Sequence, residues 1–63
     1  MTTKEARNIL TTAQININDL MQNIAIMQNN DLLSNISSFV LNQKISELKG
    51  LQSTIANELT KYF

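Results

Sequence analysis

The side chains that could do chemistry in this sequence are few and are spread singly along the chain. The carboxylates have no paired spacing of the kind that general acid and base catalysis uses; they are Glu5, Asp19, Asp31, Glu47 and Glu58. The sequence contains no histidine and no cysteine, the residues that most often serve as bases, nucleophiles and zinc ligands. The single glycine, Gly50, cannot build a phosphate-binding loop. We therefore expect a non-enzymatic protein with no metal and no cofactor.

The charged residues are evenly divided, with five Lys or Arg and five Asp or Glu, so the net charge is zero. The chain therefore lacks the bulk charge that attracts nucleic acid or an anionic membrane. No apolar run approaches the length of a membrane span or of a signal peptide. The sequence argues against a membrane partner, and the absence of cysteine fits a cytoplasmic location.

The first half of the chain has the pattern of one long amphipathic helix. Thr2 and Glu5 have the spacing of a capping box, in which hydroxyl and carboxylate each accept a free backbone N–H. Apolar residues then recur at alternating steps of four and three, the spacing of a coiled-coil seam; they are Ala6, Leu10, Ala13, Ile17, Leu20, Ile24 and Met27. Ile9 and Met21 widen the stripe, which favours a bundle over a two-stranded zipper.

Turn-forming residues concentrate at Asn29, Asn30 and Asp31. Asn tolerates the left-handed conformation that ends a helix, and Asn or Asp can cap the helix that follows. We therefore expect helices over about residues 3–29 and 31–62, joined by a tight turn. One unbroken helix is the alternative, but it would place Asp31, Ser34 and Ser38 on consecutive seam positions, so the hairpin is favoured.

Gly50 leaves two alternatives for the second half. Lys44 and Lys49 precede it, as basic residues often precede the end of a helix, whereas a glycine inside a helix costs only about 1 kcal/mol. A continuous second helix is favoured. A kink or break at Gly50, giving a monomeric three-helix bundle, remains the alternative.

The predicted fold class is all-α, a single domain over residues 1–63 without a linker. A chain of this length with no disulfide buries too small a core to be very stable alone, so we expect the hairpin to dimerise into a four-helix bundle. The predicted core or oligomer interface is formed by apolar residues of both halves: Leu10, Ala13, Ile17, Leu20, Ile24, Met27, Leu33, Ile36, Val40, Ile45, Leu48, Ile55 and Leu59.

Four apolar residues outside this set form a candidate partner surface. Ile15 and Ile26 fall on the outer side of the first helix, and Tyr62 and Phe63 form an apolar C-terminal end. Single exposed apolar residues are ordinary, and the C-terminal pair could close the open end of the hairpin instead. A second contact surface for another protein is the functional alternative.

Asn16, Asn23 and Asn30 recur at seven-residue spacing along one flank of the seam. Such a row of amides could set the register between helices through hydrogen bonds. We hypothesise that it influences oligomeric state or partner choice.

The sequence favours a helical protein–protein interaction module, a small regulator or adaptor that pairs with itself and possesses a face for another protein. A self-assembling structural subunit, with Ile15 and Ile26 as its second interface, is the alternative. In length and expected helix plan the chain is also similar to the plasmid RNA-binding hairpin dimers of the Rop type, although no motif is shared. That resemblance implies nucleic-acid binding, which the five scattered cations do not favour because they form no basic stripe.

Overall fold

The computed structural model describes all 63 residues and contains two α-helices followed by a short 3₁₀ turn. Helix α1 spans Thr3–Asn29, helix α2 spans Ser38–Leu59, and the 3₁₀ turn spans Thr60–Tyr62. The molecule measures 44 × 16 × 14 Å, close to the length of about 40 Å that α1 alone requires. The two helices therefore lie side by side as a hairpin. The all-α hairpin is confirmed, and the single unbroken helix is wrong.

The capping residues predicted at the start of α1 are in place, with one difference in their bonding. The Thr2 hydroxyl accepts the backbone N–H of Glu5 at 3.1 Å, which satisfies one of the free donors of the first turn. The Glu5 carboxylate accepts the Thr2 hydroxyl at 3.1 Å rather than the Thr2 backbone N–H. Helix α1 begins where the sequence predicts, at Thr3.

Helix α1 ends at Asn29, as predicted, in the hydrogen-bonding pattern of a Schellman motif. The backbone N–H of Leu32 donates to Met27 at 2.9 Å and that of Asp31 donates to Gln28 at 3.2 Å. Asp31 has a φ of 56°, so it occupies the left-handed position that closes the helix. The prediction that Asp31 caps the second helix is wrong, because its backbone is committed to ending the first.

The connection between the helices is longer than predicted, since α2 begins at Ser38 rather than near residue 31. Ser37 is the cap residue, and its hydroxyl accepts the backbone N–H of Val40 at 3.2 Å. The segment from Asn30 to Ser37 forms turns and a bend. This segment carries Ser34 and Asn35, polar residues that favour local hydrogen bonds over helix interior positions.

Gly50 lies inside α2, which continues without a break from Ser38 to Leu59. The expected continuous helix is confirmed, and a third helix beginning after Gly50 is not formed. A Cβ added at Gly50 would meet nothing within 4 Å, so no neighbour requires a glycine there.

The two helices contact each other along an interhelical seam that leaves most of its residues half-buried. Ala6 is the only residue that the hairpin buries. The other seam residues on α1 are Arg7, Leu10, Ala13, Gln14, Ile17, Met21, Ile24, Met27 and Gln28. Those on α2 are Leu41, Ile45, Leu48, Gln52, Ile55, Ala56 and Leu59, followed by Tyr62. The α2 residues recur at steps of three and four, with Ala56 beside Ile55, so one stripe of α2 faces α1.

Candidate functional site

Exposed apolar residues lie beside the seam in two pairs, one pair on each helix. Ile9 and Leu20 on α1 are 55% and 46% exposed, and Val40 and Leu51 on α2 are 42% and 50% exposed. The members of each pair are separated by about three helical turns, so they lie on one line along their helix. We call these four residues the apolar face.

Helix geometry places both pairs on the same side of the hairpin. On each helix the exposed pair is rotated from the seam in the same sense by roughly 80°, at about 100° per residue. Because the two right-handed helices run in opposite directions, rotation in the same sense points to one side of the pair. In agreement, Ile9 lines a depression of about 190 Å³ together with Glu58 and Tyr62 from the end of the chain.

The opposite side of the hairpin is polar and equally open to solvent. It is formed by Thr11 and Asn18 on α1 and by Asn42, Lys49 and Ser53 on α2, all of them exposed. We call these residues the polar face. The hairpin is therefore amphipathic as a whole, and a partner that removes apolar surface from water would bind on one side only.

The polar residues of the apolar face differ between its two helices. On α1, Asn16 and Asn23 lie between the apolar residues of the stripe that contains Ile9 and Leu20. On α2 charged residues lie in the same stripe as Val40 and Leu51, and Lys44 pairs with Glu47 at 3.4 Å. The face therefore carries uncharged amides on α1 and both signs of charge on α2.

Glu58 lies in the same stripe of α2 and pairs with Lys61 at 2.9 Å. Its hydrogen bond, followed by its charge attraction, raises the pKa of Lys61 above the ordinary lysine value. Both ion pairs of the molecule are solvent-exposed and three residues apart, so they contribute little to the association of the helices.

The end of the hairpin that carries both chain termini is closed by Arg7. Its Nε and Nη2 donate to the Tyr62 carbonyl oxygen at 3.0 and 2.7 Å, and its guanidinium lies 5.5 Å from the centre of the Phe63 ring. Tyr62 is half-buried, whereas Phe63 remains 83% exposed. The predicted partner residues Tyr62 and Phe63 thus lie at the closure of the open end. The heptad pattern could not predict the bonds of Arg7, because their acceptor, Tyr62, lies at the opposite end of the chain.

The residues predicted for the core or oligomer interface separate into two groups in the structure. Ten are half-buried: Leu10, Ala13, Ile17, Ile24, Met27, Leu33, Ile45, Leu48, Ile55 and Leu59. Leu20, Ile36 and Val40 are exposed. The seam positions beside Leu20 and Val40 are taken by Met21 and Leu41, since one residue along a helix turns the side chain by about 100°.

Two residues of the apolar face, Ile9 and Leu51, were not among the predicted interface residues. A signal for Ile9 is present in the sequence: Ile9, Ala13, Asn16, Leu20, Asn23 and Met27 form a second stripe with steps of four and three. Leu51 has a weaker signal, because its stripe on α2 also contains Lys44 and Glu58.

Ile15 and Ile26 lie on the side of α1 turned away from α2, 55% and 57% exposed. They are also about three helical turns apart, but Asp19 and Gln22 lie between them on that side. This outer pair forms a narrower apolar strip than the apolar face, because α2 contributes nothing to it.

A second depression, of about 200 Å³, lies at the turn end of the hairpin and is lined by Gln28, Asp31, Leu33, Ser34, Ile36, Ser38 and Leu41. No group of three or more carboxylates in the structure is placed to hold a metal ion. Neither helix is long and apolar enough to cross a lipid bilayer.

Comparison with models of known protein families, with characterised proteins and with solved structures gives no match to this chain.

Proposed function

We propose that the chain is a non-enzymatic helical interaction module, a small regulator or adaptor that binds protein through its apolar face. The observation that carries this proposal is the position of Ile9, Leu20, Val40 and Leu51, which lie uncovered on one side of the hairpin while the other side is polar. Exposed apolar residues gathered on one side of a small protein, with polar residues between and around them, indicate an interaction site.

The dimensions of the molecule support the need for a partner. A compact monomer of 7.1 kDa has an accessible surface of about 4,100 Å², whereas the hairpin exposes 4745 Å². Its radius of gyration is 14.5 Å, against about 10.6 Å for a compact domain of this length. The hairpin is therefore more elongated than a compact domain of this length and buries less of its surface.

The proposal is tested by adding the same two charges to each side of the hairpin. The double variant Leu20→Asp/Leu51→Asp places one carboxylate per helix on the apolar face, and Asn18→Asp/Asn42→Asp does so on the polar face. Each tagged chain is incubated with total protein from the source cells, and the retained proteins are identified by mass spectrometry. Circular dichroism checks that both variants keep their helices.

We expect at least one protein, a copy of the chain or an unlike partner, to be retained by the wild type and the polar-face variant and lost with the apolar-face variant. Equal retention by all three chains would contradict the proposal, as would the absence of any retained protein. Desolvation of an unpaired carboxylate is the physical reason for the expected loss.

A self-assembling structural subunit is the second candidate, and the exposure of Ile15 and Ile26 favours it over the remaining alternatives. Such a subunit needs two different interfaces, because one twofold interface closes at the dimer. Light scattering would then show particles that grow beyond a dimer with concentration, and Ile15→Asp/Ile26→Asp would stop the growth at the dimer. A constant mass over the concentration range would exclude the assembler.

A further inference from the structure

We infer that the apolar face is covered by a second copy of this chain, so that two hairpins pack face to face as a twofold-symmetric four-helix bundle. The inference rests on the proposed function, since it names the occupant of the same face. Four properties of the face support a copy over an unlike partner or a lipid surface.

The first property is its area. Covering the whole broad side of the hairpin, 44 × 16 Å, with its polar residues included, involves roughly 700 Å² for each copy and about 1,400 Å² for the pair, within the usual size of a stable protein interface. The surface in excess of a compact monomer is also roughly 650 Å² per chain. The surface that a second copy covers is thus about equal to the surface that the hairpin exposes in excess of a compact monomer.

The second property is the distribution of apolar residues along the face. Arg7 bonds to Tyr62, so each later residue of α1 lies beside an earlier residue of the antiparallel α2. Residues of the face then lie at three levels: Leu20 near Leu51 at its centre, and Ile9 and Val40 at its two ends, where the half-buried seam residues Tyr62 and Met27 lie beside them on the other helix. An interface around a twofold axis brings the same surface of both copies together, so apolar residues must meet apolar residues. This face allows such contacts because apolar residues occupy its centre and both ends.

The third property is the presence of amides between those levels. Asn16 and Asn23 each carry both a hydrogen-bond donor and an acceptor, so an identical amide on a facing copy can satisfy them. A lipid surface would leave the same amides without partners, which is unfavourable because a polar group removed from water needs a hydrogen bond. The amide row therefore favours a facing protein that carries the same groups at the same positions.

The fourth property is charge. The chain has no net charge, and the α2 side of the face carries both signs, Lys44 with Glu47 and Glu58 with Lys61. A second copy is not repelled by these charges, whereas a strongly acidic or basic partner finds no complementary field on them.

Sedimentation equilibrium over a wide concentration range tests the inference, with a matched pair of variants. Ile9 and Ile15 are the same residue type on the same helix and have the same exposure, 55%, but only Ile9 lies on the apolar face. We expect the wild type and Ile15→Asp to have twice the monomer mass of 7.1 kDa. Ile9→Asp should raise the dissociation constant by roughly 100-fold, because the introduced carboxylate loses water at the interface without gaining a partner, and Leu20→Asp/Leu51→Asp should be monomeric.

Crosslinking gives a second measurement that does not depend on the stability of charged variants. The chain contains no cysteine, so single Leu51→Cys, Leu20→Cys and Ile26→Cys variants can be joined only at the introduced thiol. With a short bismaleimide, we expect Leu51→Cys to form dimers with itself if the copies run antiparallel, or with Leu20→Cys if they run parallel. Ile26→Cys should form neither.

A monomeric wild type at all concentrations would overturn the inference, and so would equal effects of Ile9→Asp and Ile15→Asp, or crosslinking through Ile26→Cys in place of the two face positions. If the wild type is monomeric and still retains an unlike protein that Leu20→Asp/Leu51→Asp loses, the homodimer is wrong and the proposed interaction module stands. If nothing is retained, both are wrong.

Discussion

The two ends of the hairpin are held by different kinds of interaction. At the open end, Ala6 is buried, and Arg7 bonds to the carbonyl oxygen of Tyr62, 55 residues away in the sequence. At the turn end, every hydrogen bond joins residues within five positions of each other, and Leu32 and Phe39 are 69% and 77% exposed. Tyr62 is thus tied to α1 by a tertiary contact, whereas the hydrogen bonds at the turn all join residues close in the sequence.

This difference implies that the open end and the turn end respond to different changes. Substitutions that remove the hydrogen bonds between Arg7 and Tyr62 should loosen the open end, because these are the side-chain hydrogen bonds that join residues distant in the sequence. Substitutions that change backbone preference should act at the turn, where Schellman and capping bonds set the path of the chain.

The largest expected effect comes from the seam that joins the two ends. Ile17→Asp places a carboxylate among half-buried apolar side chains and should lower the free energy of unfolding by about 3 kcal/mol or more. Urea denaturation followed by circular dichroism measures the change. Ile15→Asp is the control on the outer side of α1, and a similar loss in both variants would mean that the seam is placed wrongly.

Arg7→Met should have the next largest effect on stability, and that effect should be confined to the open end. It removes two charge-assisted hydrogen bonds to Tyr62, and we expect a loss of about 1–2 kcal/mol. Amide hydrogen exchange should rise in the last turn of the chain and stay unchanged from Asn30 to Ser37. Lys4→Met removes a nearby exposed cation as the control, and faster exchange at the turn end would contradict the independence of the two ends.

Ser37→Ala is the corresponding change at the turn end. It removes the hydroxyl that accepts the Val40 N–H and should destabilise the hairpin by about 1 kcal/mol. Exchange should increase in the first turn of α2 while the residues around Tyr62 keep their protection. Ser38→Ala, one position inside the helix, should have almost no effect; if the two variants behave alike, the capping role of Ser37 is wrong.

The smallest effect is expected from the Lys61–Glu58 pair. The pKa of Lys61 is raised in the folded chain, chiefly by its hydrogen bond to Glu58, so the pair stabilises the hairpin below the unfolded-state pKa of the lysine. That contribution is lost as the pH rises through the higher folded-state pKa. NMR titration should show the pKa of Lys61 returning toward its ordinary value in Glu58→Gln; no change would show that the ion pair does not form in solution.

Several features of the molecule could be predicted because they depend on residues within about one helical turn. The cap at Thr2, the end of α1 at Asn29 and the continuity of α2 through Gly50 follow from local hydrogen bonding and from the absence of proline. The apolar period also predicted two helices that pack on each other. The start of α2 was misplaced because Asp31 can serve either as a helix end or as a helix cap, and the local sequence supports both.

What the sequence determined by itself is therefore the set of helices and the apolar stripe that each one carries. Only the tertiary structure decided which edge of each stripe is covered: Met21 and Leu41 face the neighbouring helix, whereas Leu20 and Val40 stay open. The physical reason is that each apolar stripe is wider than the line along which two helices touch. Each helix could therefore be rotated about its own axis by less than about 100°, the step between consecutive residues, and still pack an apolar edge against its neighbour. The rotation is selected by contacts between distant residues, such as Arg7 with Tyr62, and it is this rotation that leaves Ile9, Leu20, Val40 and Leu51 together on one side.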